Sequence, residues 1–257
     1  MHIFEQANSK LDSFIKNNLS SYHKLRNYDF GLKNRDNVSQ ISKYISHRIL
    51  YEYDIIRKIE PIDKKKKFTD EILWRIYWKG YLENNKSIWA QYRKFEDLSY
   101  DLNIFIKAKM GKVGIYCFDK WTEELIENNY LHNHARMWFA SIWIFTLKLP
   151  WQLGASFFMK HLLDGDAASN TLSWRWVAGL HTNKKPYIAT IDNINKYTDN
   201  RFINYPFKIS EDYIHIKDYD YISNKIQHKN NSPQSKILFI FDNDLGFSNK
   251  TNLLNHY

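Results

Sequence analysis

Hydrophobic residues recur every three or four positions along most of this chain, which is the spacing of one buried face of an α-helix. Residues 4–26 carry such a stripe, formed by Leu11, Phe14, Ile15, Leu19 and Tyr22. Further helices are predicted over residues 38–60, 68–81, 117–130 and 132–148, with Pro150 opening the next one. A looser stretch is predicted between Tyr81 and Gly111. The pattern therefore predicts a mainly α-helical domain over residues 1–206.

The pattern changes after Pro206, where the chain becomes polar and irregular. Residues 226–236 have the composition of a flexible linker. The apolar run from Ile237 to Phe241 predicts one buried β-strand. Because one strand cannot form a sheet alone, residues 207–257 are assigned to a linker and a short C-terminal tail, consistent with the remnant of a second α/β domain.

Composition narrows the classes of protein that this chain can represent. Its 257 residues carry a formal net charge of +9, which favours a polyanionic partner such as nucleic acid, although solubility or an AT-rich genome that favours lysine would explain the same charge. The single cysteine, Cys117, excludes a disulfide framework and any four-cysteine metal site. The most apolar segment, 137–147, is too short to cross a bilayer. We therefore expect a cytoplasmic protein without membrane contact.

Three segments carry side chains that are too polar for a plain core. In the first, Glu71, Trp74, Arg75 and Trp78 share one face of the predicted helix. This face has two interpretations. It forms a ligand site, or it holds an intrahelical Glu71–Arg75 salt bridge beside two packing tryptophans.

The second segment places Asn133, Arg136 and Met137 on one helix face at the mouth of the apolar helix. An unpaired polar group buried there would cost a few kcal/mol, so a buried polar site is predicted. His132 and His134 lie in the same segment, but no metal-binding HExxH spacing is present, and no metal site is predicted.

The third segment runs from Leu163 to Trp176. Asp164 is predicted to pair with Arg136, although Asp164 or Asp166 could instead cap a helix. Small residues follow, and they would let the backbone approach a flat ligand closely: Gly165, Ala167, Ala168 and Ser169. Trp174 and Trp176 point in nearly opposite directions on a helix, so one of them could face a ligand.

Together these segments resemble the photolyase/cryptochrome family. The elements HN..RM, LDGD.A.N and W.W follow one another between Tyr130 and Trp176, and residues 37–45 resemble the family's phosphate-binding TS.LS.YL element. The resemblance covers about residues 20–205. It implies an all-helical photolyase-type FAD-binding domain. The family's N-terminal α/β antenna domain has no counterpart here, so we expect no antenna pigment site within this chain.

The resemblance implies a set of cofactor-binding residues. Ser39 and Ser42 would contact the FAD phosphates, while Val38 replaces a family threonine and loses one hydroxyl contact. Arg136 and Asp164 would form an ion pair against the flavin, and Asn170 would face flavin N5. The full set is Ser39, Ser42, Arg75, Trp78, Arg136, Asp164, Asp166 and Asn170.

The resemblance also implies a lesion pocket and an electron route. The positions that bind a pyrimidine dimer are Glu71, Trp74, Asn133, Met137 and Trp176. Residues implied to act in catalysis are Glu71, Asn133, Trp174 and Trp151, the last two as members of the chain that photoreduces the flavin. No distal tryptophan aligns, and Trp89, Tyr92 or Tyr100 could replace it. His134 stands where the family has an arginine that contacts DNA phosphate.

Three functions follow as hypotheses. The first is light-dependent repair of cyclobutane pyrimidine dimers in DNA by electron transfer from reduced FAD. The second is a cryptochrome-like blue-light sensor without repair activity, and the third is a flavoprotein kept as a structural or redox module. We expect a monomer whose partner is dimer-containing DNA, with any antenna pigment or partner of the C-terminal tail supplied by a separate chain.

Overall fold

The computed structural model describes residues 2–96, 99–181, 185–212, 214, 216 and 245. The predicted linker and strand at residues 226–241 lie outside this part. Within it, every regular element is helical, which confirms the all-helical prediction. The α-helices are α1 (Ile3–Asn17), α2 (Leu19–Leu25), α3 (Ser42–Ser46), α4 (Glu52–Ile59), α5 (Lys66–Asn84), α6 (Lys86–Arg93), α7 (Leu102–Lys109), α8 (Tyr116–Asn128), α9 (Asn133–Ser141), α10 (Trp151–His161), α11 (Ala167–Val177) and α12 (Ile191–Tyr197).

Several predicted helix boundaries were wrong. The helix expected over residues 4–26 is split at Asn18 into α1 and α2. The helix expected over 38–60 is interrupted at Arg48, whose φ of 53° is left-handed and cannot continue a right-handed helix. The stretch expected to be looser contains α6 and α7, and the Asp101 side chain caps α7 by accepting the Ile104 N–H at 3.0 Å.

The long apolar helix expected over residues 132–148 changes character midway. After α9 the chain continues as a π-helical turn, Ile142–Thr146, in which the Leu147 N–H donates to the Ile142 carbonyl at 2.9 Å. This turn is buried, and the indole N–H of Trp143 donates to the Pro150 carbonyl at 3.0 Å. A π-turn inserts one residue into the helical register, which sequence periodicity does not reveal.

Aromatic side chains are prominent in the largest core cluster, which lies among α8, α9, the π-turn, α10 and α11. Phe118 and Phe139 stack with ring centroids 4.3 Å apart, and Trp121 stacks on Trp138 at 5.5 Å. Most aromatic residues of this cluster therefore serve packing. A second cluster joins α1, α2, α4 and α5 and positions the helix that carries Glu71 and Trp74.

A buried ionic network fastens the loop between α2 and α3. Asp29 is fully buried and accepts from Arg35 at 3.1 Å and from Arg201 at 2.7 Å. Arg35 also pairs with Glu124 of α8 at 2.7 Å. The network joins parts of the chain that are far apart in sequence, and it holds this loop against the C-terminal half of the domain.

Replacing Gly154 by alanine is expected to destabilise the fold by about 1–3 kcal/mol, because an added Cβ would overlap the Trp174 ring. The matched control is Gly80→Ala in α5, where a Cβ meets nothing within 4 Å. That variant should gain roughly 0.5–1 kcal/mol, since alanine is the better helix former. Urea denaturation measures both, and equal effects of the two variants would contradict the predicted contact.

Candidate functional site

An ion pair joins α9 to the turn before α11. The Arg136 Nη2 atom donates to Asp164 Oδ2 at 2.9 Å, as predicted from the second and third segments. The Asp164 side chain is only 3% exposed. Burial alone would raise the pKa of Asp164, but the Arg136 guanidinium holds this pKa below its usual range. The carboxylate is therefore ionised in the folded protein at neutral pH.

Arg75 reaches the same place from α5. Its Nη2 atom donates to Ser46 Oγ at 2.6 Å, and Ser46 Oγ donates to the Asp164 carbonyl at 3.0 Å. Arg75 is thus joined to the neighbourhood of Asp164 through Ser46 and does not pair with Glu71. The intrahelical Glu71–Arg75 salt bridge, one of the two interpretations of this helix, is absent. Sequence reasoning missed Ser46, which lies one turn after Ser42 on α3.

Buried polar atoms at this place retain hydrogen-bonding capacity. Asp164 Oδ1, Arg75 Nε and Ser169 Oγ are buried and have no partner among the residues that the structure describes. Orphaned buried atoms cost free energy unless a ligand or water satisfies them. An acceptor, a cationic donor and a hydroxyl together fit a polar ligand with both donors and anionic groups, such as a flavin dinucleotide.

Asp166 and Asn170 frame the other side of this turn. The Asp166 carboxylate caps α11 by accepting the Ser169 N–H at 2.8 Å, which is the helix-capping alternative considered above. The Asn170 amide donates to the Ala155 carbonyl at 2.8 Å and fixes the side chain against α10. Its amide oxygen is therefore held in a defined direction beside the small residues of α11.

The remaining predicted cofactor residues lie on α5 and around α3. Trp78 is half-buried and packs against His181, with ring centroids 4.9 Å apart, a neighbour that sequence reasoning missed. Ser42 begins α3, and Ser39 lies half-buried in the segment before it. Because α3 has only five residues, we assign any anion binding here to the hydroxyl groups rather than to a helix dipole.

The two tryptophans of the predicted lesion pocket are both accessible. Trp74 on α5 is 49% exposed and Trp176 on α11 is 38% exposed. Trp74 contacts Tyr77 and Trp78, whereas Trp176 stacks on Tyr187 at 5.6 Å. Neither ring stacks on the other, although α5 and α11 pack together. Each indole therefore keeps a face available for a ligand.

Glu71 lies beside Trp74, and its carboxylate pairs with Arg26 from α2. Burial raises the pKa of Glu71, and Arg26 opposes that rise. Asn133 opens α9 and is exposed, and Met137 follows one turn later in a half-buried position. Glu71 and Arg26 line the groove beside Trp74, whereas Asn133 and Met137 lie on α9.

His134, which stands where the family has an arginine that contacts DNA phosphate, does not point to solvent. It is buried, with Nδ1 2.9 Å from the Asn27 carbonyl and Nε2 3.2 Å from the Tyr187 hydroxyl. Its ring also stacks on Trp138 with centroids 4.1 Å apart. These contacts use the whole imidazole for packing between α9 and the loop after α2.

His132 is the N-cap of α9, and its protonation makes the stability of the folded protein depend on pH. Its Nδ1 accepts the His134 N–H at 3.2 Å, so the ring is neutral. Burial lowers the pKa of His132 from 6.5 to about 4. Protonation therefore favours the unfolded chain as pH falls below 6.5.

We expect the free energy of unfolding to fall by about 2 kcal/mol between pH 7 and pH 5 through this group alone. His132→Asn retains a capping oxygen, cannot take the proton, and should lose correspondingly less over the same interval. Urea denaturation at the two pH values measures the difference. His23→Asn, at an exposed histidine, is the control, and the prediction is wrong if both variants keep the wild-type pH dependence.

A line of aromatic rings runs outward from the turn region through α10 to α6. Trp174 is buried on α11 and contacts Phe158 at 5.1 Å, and a Cβ at Gly154 of α10 would meet its ring. Trp151, one turn before Gly154, stacks on Tyr92 with ring centroids 5.6 Å apart. Tyr92 in turn contacts Trp89 at 5.3 Å.

Trp89, Tyr92 and Tyr100 are the candidates for the distal member of the electron-transfer chain. Tyr100 packs on Phe105 of α7 at 5.5 Å and has no ring contact with Trp151 among the described residues. Tyr92 has this contact, and its hydroxyl lies 3.0 Å from Ser156 Oγ. Tyr92 and Trp89 therefore extend the line of rings from Trp151, whereas Tyr100 does not. The sequence alone left this choice open.

A family model described as the FAD binding domain of DNA photolyase matches residues 68–236. The chain belongs to the DNA photolyase family. FAD is the cofactor of this domain, in agreement with the orphaned polar atoms around Asp164. The assignment confirms the resemblance drawn from the HN..RM, LDGD.A.N and W.W elements.

Among curated relatives of this photolyase domain is the deoxyribodipyrimidine photo-lyase of Buchnera aphidicola subsp. Baizongia pistaciae. It is 30% identical over 197 residues, which cover 69% of this chain and 39% of the relative. The protein of the same name from Alkalihalophilus pseudofirmus is 27% identical over 75% of this chain and 41% of the relative. The chain thus spans about two fifths of the length of these relatives.

Solved structures share the fold of the photolyase domain. A bacterial class III photolyase from Agrobacterium tumefaciens superposes with a TM-score of 0.66 at 24% identity, over 76% of this chain and 42% of the other. A cryptochrome from Synechocystis gives 0.68 at 21% identity, over 78% and 44%. Photolyases and cryptochromes are both represented, so fold similarity does not separate repair from light sensing.

The described part of the photolyase domain contains neither a membrane-spanning helix nor a metal-binding cluster. No helix there is both long and apolar enough to cross a membrane. No group of three or more histidine, cysteine, aspartate or glutamate side chains there is arranged to hold a metal ion.

Proposed function

We propose that this chain repairs cyclobutane pyrimidine dimers in DNA, using light and reduced FAD. The observation that carries the proposal is the pair of accessible tryptophans, Trp74 at 49% and Trp176 at 38% exposure, on two helices that pack together. Large indoles with a free face at the surface are costly to expose, and they suit stacking on unpaired bases. Curated relatives named deoxyribodipyrimidine photo-lyase support the same substrate.

The chain's residues have separable tasks in this proposal. Trp74 and Trp176 stack on the flipped dimer and exclude water from it, which offsets the few kcal/mol that flipping costs. Glu71 and Asn133 hydrogen-bond the base edges, and Met137 packs beside them. When bound, the reduced flavin supplies the electron that splits the dimer on illumination.

The cofactor is proposed to be held by three groups of residues. Arg136, Asp164 and Asn170 would line the flavin ring, with Asp166 nearby. Arg75, Ser39 and Ser42 would face the phosphates, where cationic and hydroxyl donors bind oxyanions well. Trp78 would contact the cofactor from α5.

A blue-light sensor without repair activity is the second candidate, and two contacts favour it. The Glu71 carboxylate is engaged by Arg26, and His134, which stands where the family has an arginine that contacts DNA phosphate, is buried. Both contacts reduce what this surface offers to DNA. The fold similarity to a cryptochrome is compatible with this candidate.

Illumination of two defined lesions tests the proposal. The FAD-loaded protein, with its flavin reduced chemically, is given one oligonucleotide with a cyclobutane dimer and another with a (6-4) photoproduct. We expect repair of the cyclobutane dimer only, because Asn133 has no ionisable proton with which to assist (6-4) chemistry. Product is measured by chromatography, with dark samples as the blank.

Each outcome has one meaning. Repair of the (6-4) product would contradict the lesion assignment, and repair of neither would favour the sensor. Trp176→Ala should weaken dimer binding by about tenfold or more. Tyr205→Ala, at an aromatic residue that is 45% exposed but stacks on Tyr116, is the matched control and should leave binding unchanged.

A further inference from the structure

The outer face of α5 carries an exposed apolar shelf that extends beyond the proposed lesion pocket. Leu73, Trp74 and Tyr77 are 44%, 49% and 42% exposed, and they line an open groove of about 350 Å³. Trp74 belongs to the proposed lesion pocket, whereas Leu73 and Tyr77 have no role there. Three neighbouring large apolar side chains at the surface of one helix need an explanation, because isolated exposure is ordinary but a contiguous patch is not.

The rings of the shelf hold each other in place. Tyr77 meets Trp74 edge to face at 5.2 Å with planes 86° apart, and it contacts Trp78 at 5.2 Å and Tyr81 at 5.9 Å. Packing against three aromatic neighbours along the helix limits the orientations that the Tyr77 ring can adopt. A rigid, half-exposed ring loses little conformational entropy when a flat ligand stacks on it.

Charges of both signs line the groove, because Arg26 and Lys67 lie there with Asp70 and Glu71. The basic excess comes from the start of α5. Lys67 lines the groove, and the run Lys64 to Lys67 lies at the start of α5. Lys67 and Tyr77 are ten residues apart on one helix, which is about 15 Å along the axis. Lys67 lies 3.9 Å from Asp70, but both side chains are largely exposed, so this pair is weak and leaves the ammonium accessible. Cations followed by stacking rings along one track are complementary to the phosphates and bases of a single strand.

We propose that Leu73 and Tyr77 form a stacking subsite for an unpaired nucleotide next to the flipped lesion, with Lys67 on its phosphate. The inference rests on the proposed nucleic-acid function and deepens it by naming the occupant of a second subsite. Tyr77 is a positioning residue here: it holds the flanking strand, while the dimer itself contacts Trp74 and Trp176. A subsite for an unpaired neighbour makes a locally opened or single strand the favoured form of substrate.

Binding of undamaged oligothymidylate to the FAD-loaded protein tests the subsite, measured by fluorescence anisotropy of a labelled strand. Tyr77→Ala should weaken this binding by about tenfold, in line with the loss of one stacked base. Tyr77→Phe keeps the ring and should bind as the wild type does. Tyr53→Ala removes a tyrosine that is 64% exposed on α4 and should have no effect. Thermal denaturation of each variant verifies that the fold is retained.

The salt dependence of the same binding tests the phosphate contact. Lys67→Gln should reduce the slope of log affinity against log salt by about 0.7, the value for one phosphate contact to a single strand. Lys112→Gln, at an exposed lysine before α8, has the same charge change and should alter the slope less.

The two proposals fail in different ways. If oligothymidylate binds equally to Tyr77→Ala and Tyr53→Ala, or if Tyr77→Ala instead changes the oligomeric state, the subsite is overturned whatever happens to the dimer. If Tyr77→Ala alone loses single-strand affinity while the wild type repairs no dimer, the subsite stands and the repair function falls. In a repair-competent protein, Tyr77→Ala should raise KM for a dimer in a single strand and leave kcat unchanged.

Discussion

Replacing Asp164 by alanine is expected to weaken FAD binding by at least about 100-fold. The variant leaves the Arg136 guanidinium without its carboxylate partner in a largely buried place, which costs about 3–5 kcal/mol. Part of that cost appears as lost cofactor affinity, because the orphaned cation lies where the flavin would bind. Fluorescence titration of the reconstituted apoprotein with FAD measures the loss, and the purified protein should be colourless.

Arg136→Ala should behave in the same way for the converse reason, since it strands a carboxylate that is 3% exposed. The double variant Arg136→Ala/Asp164→Ala should lose less than the sum of the two single losses, because neither charge is then left unpaired. Glu123→Ala is the control. Its partner Lys120 is 46% exposed, and removal of such a surface pair should change FAD affinity little. Wild-type affinity in both single variants would contradict the assigned flavin site.

The sequence predicted the Arg136–Asp164 pair because each partner lies beside an apolar helix where an unpaired charge would be costly. It did not predict the partner of Glu71. Periodicity offered Arg75, one turn away on the same helix, but the carboxylate pairs with Arg26, 45 residues earlier. Arg75 turns instead toward Ser46. Competition between a local and a distant partner is decided by how α2 packs on α5, which no local pattern encodes.

The same limit applies to the buried network around Asp29. Its contact with Arg201 joins residues 172 positions apart. The sequence shows a polar segment around Gly31 but carries no local signal for the ion pairs that fix it. His134 is a similar case, since its position beside Asn133 gave no sign that it is buried against Asn27 and Tyr187. Burial of a polar side chain depends on partners from other elements, and those are known only once the fold is known.

The presence of helices was predicted more reliably than the residues at which they end. Apolar spacing identified α1, α5, α8, α9 and α10 because each buries one face over two or more turns. It could not locate the break at Arg48, where one left-handed residue ends the helix, or the π-turn at Ile142–Thr146. Both interruptions leave the apolar residues buried, so the hydrophobic pattern runs on across them.

Replacing Trp174 by phenylalanine is expected to slow photoreduction of the bound flavin by at least about tenfold, equivalent to 1.4 kcal/mol in activation free energy. Trp174 is 2% exposed, and its indole N–H has no hydrogen-bond partner among the described residues. An indole can give up an electron to an excited flavin, whereas a phenyl ring is far harder to oxidise. The substitution removes the donor while it retains an aromatic ring in the core.

Trp151→Phe should slow photoreduction in the same way, because Trp151 stacks on Tyr92 at 5.6 Å and lies one turn before Gly154, which packs on Trp174. Trp121→Phe is the matched control. Trp121 is 1% exposed and belongs to the same core cluster, but it stacks on Trp138 on the side of α8, away from this line of rings. In the Trp121→Phe variant the flavin should be photoreduced at the wild-type rate. This result would show that the position of a tryptophan in the line of rings, and not the loss of a buried indole, determines the rate.

Repair measured with chemically reduced flavin separates electron supply from the repair reaction. Neither Trp174→Phe nor Trp151→Phe should alter it, because the proposed lesion contacts are Trp74 and Trp176 and the flavin already carries its electrons. A loss of repair under these conditions would mean that Trp174 supports the flavin site itself, through its close packing on Gly154. Photoreduction at the normal rate in both variants would mean that electrons reach the flavin by a path that avoids α10 altogether.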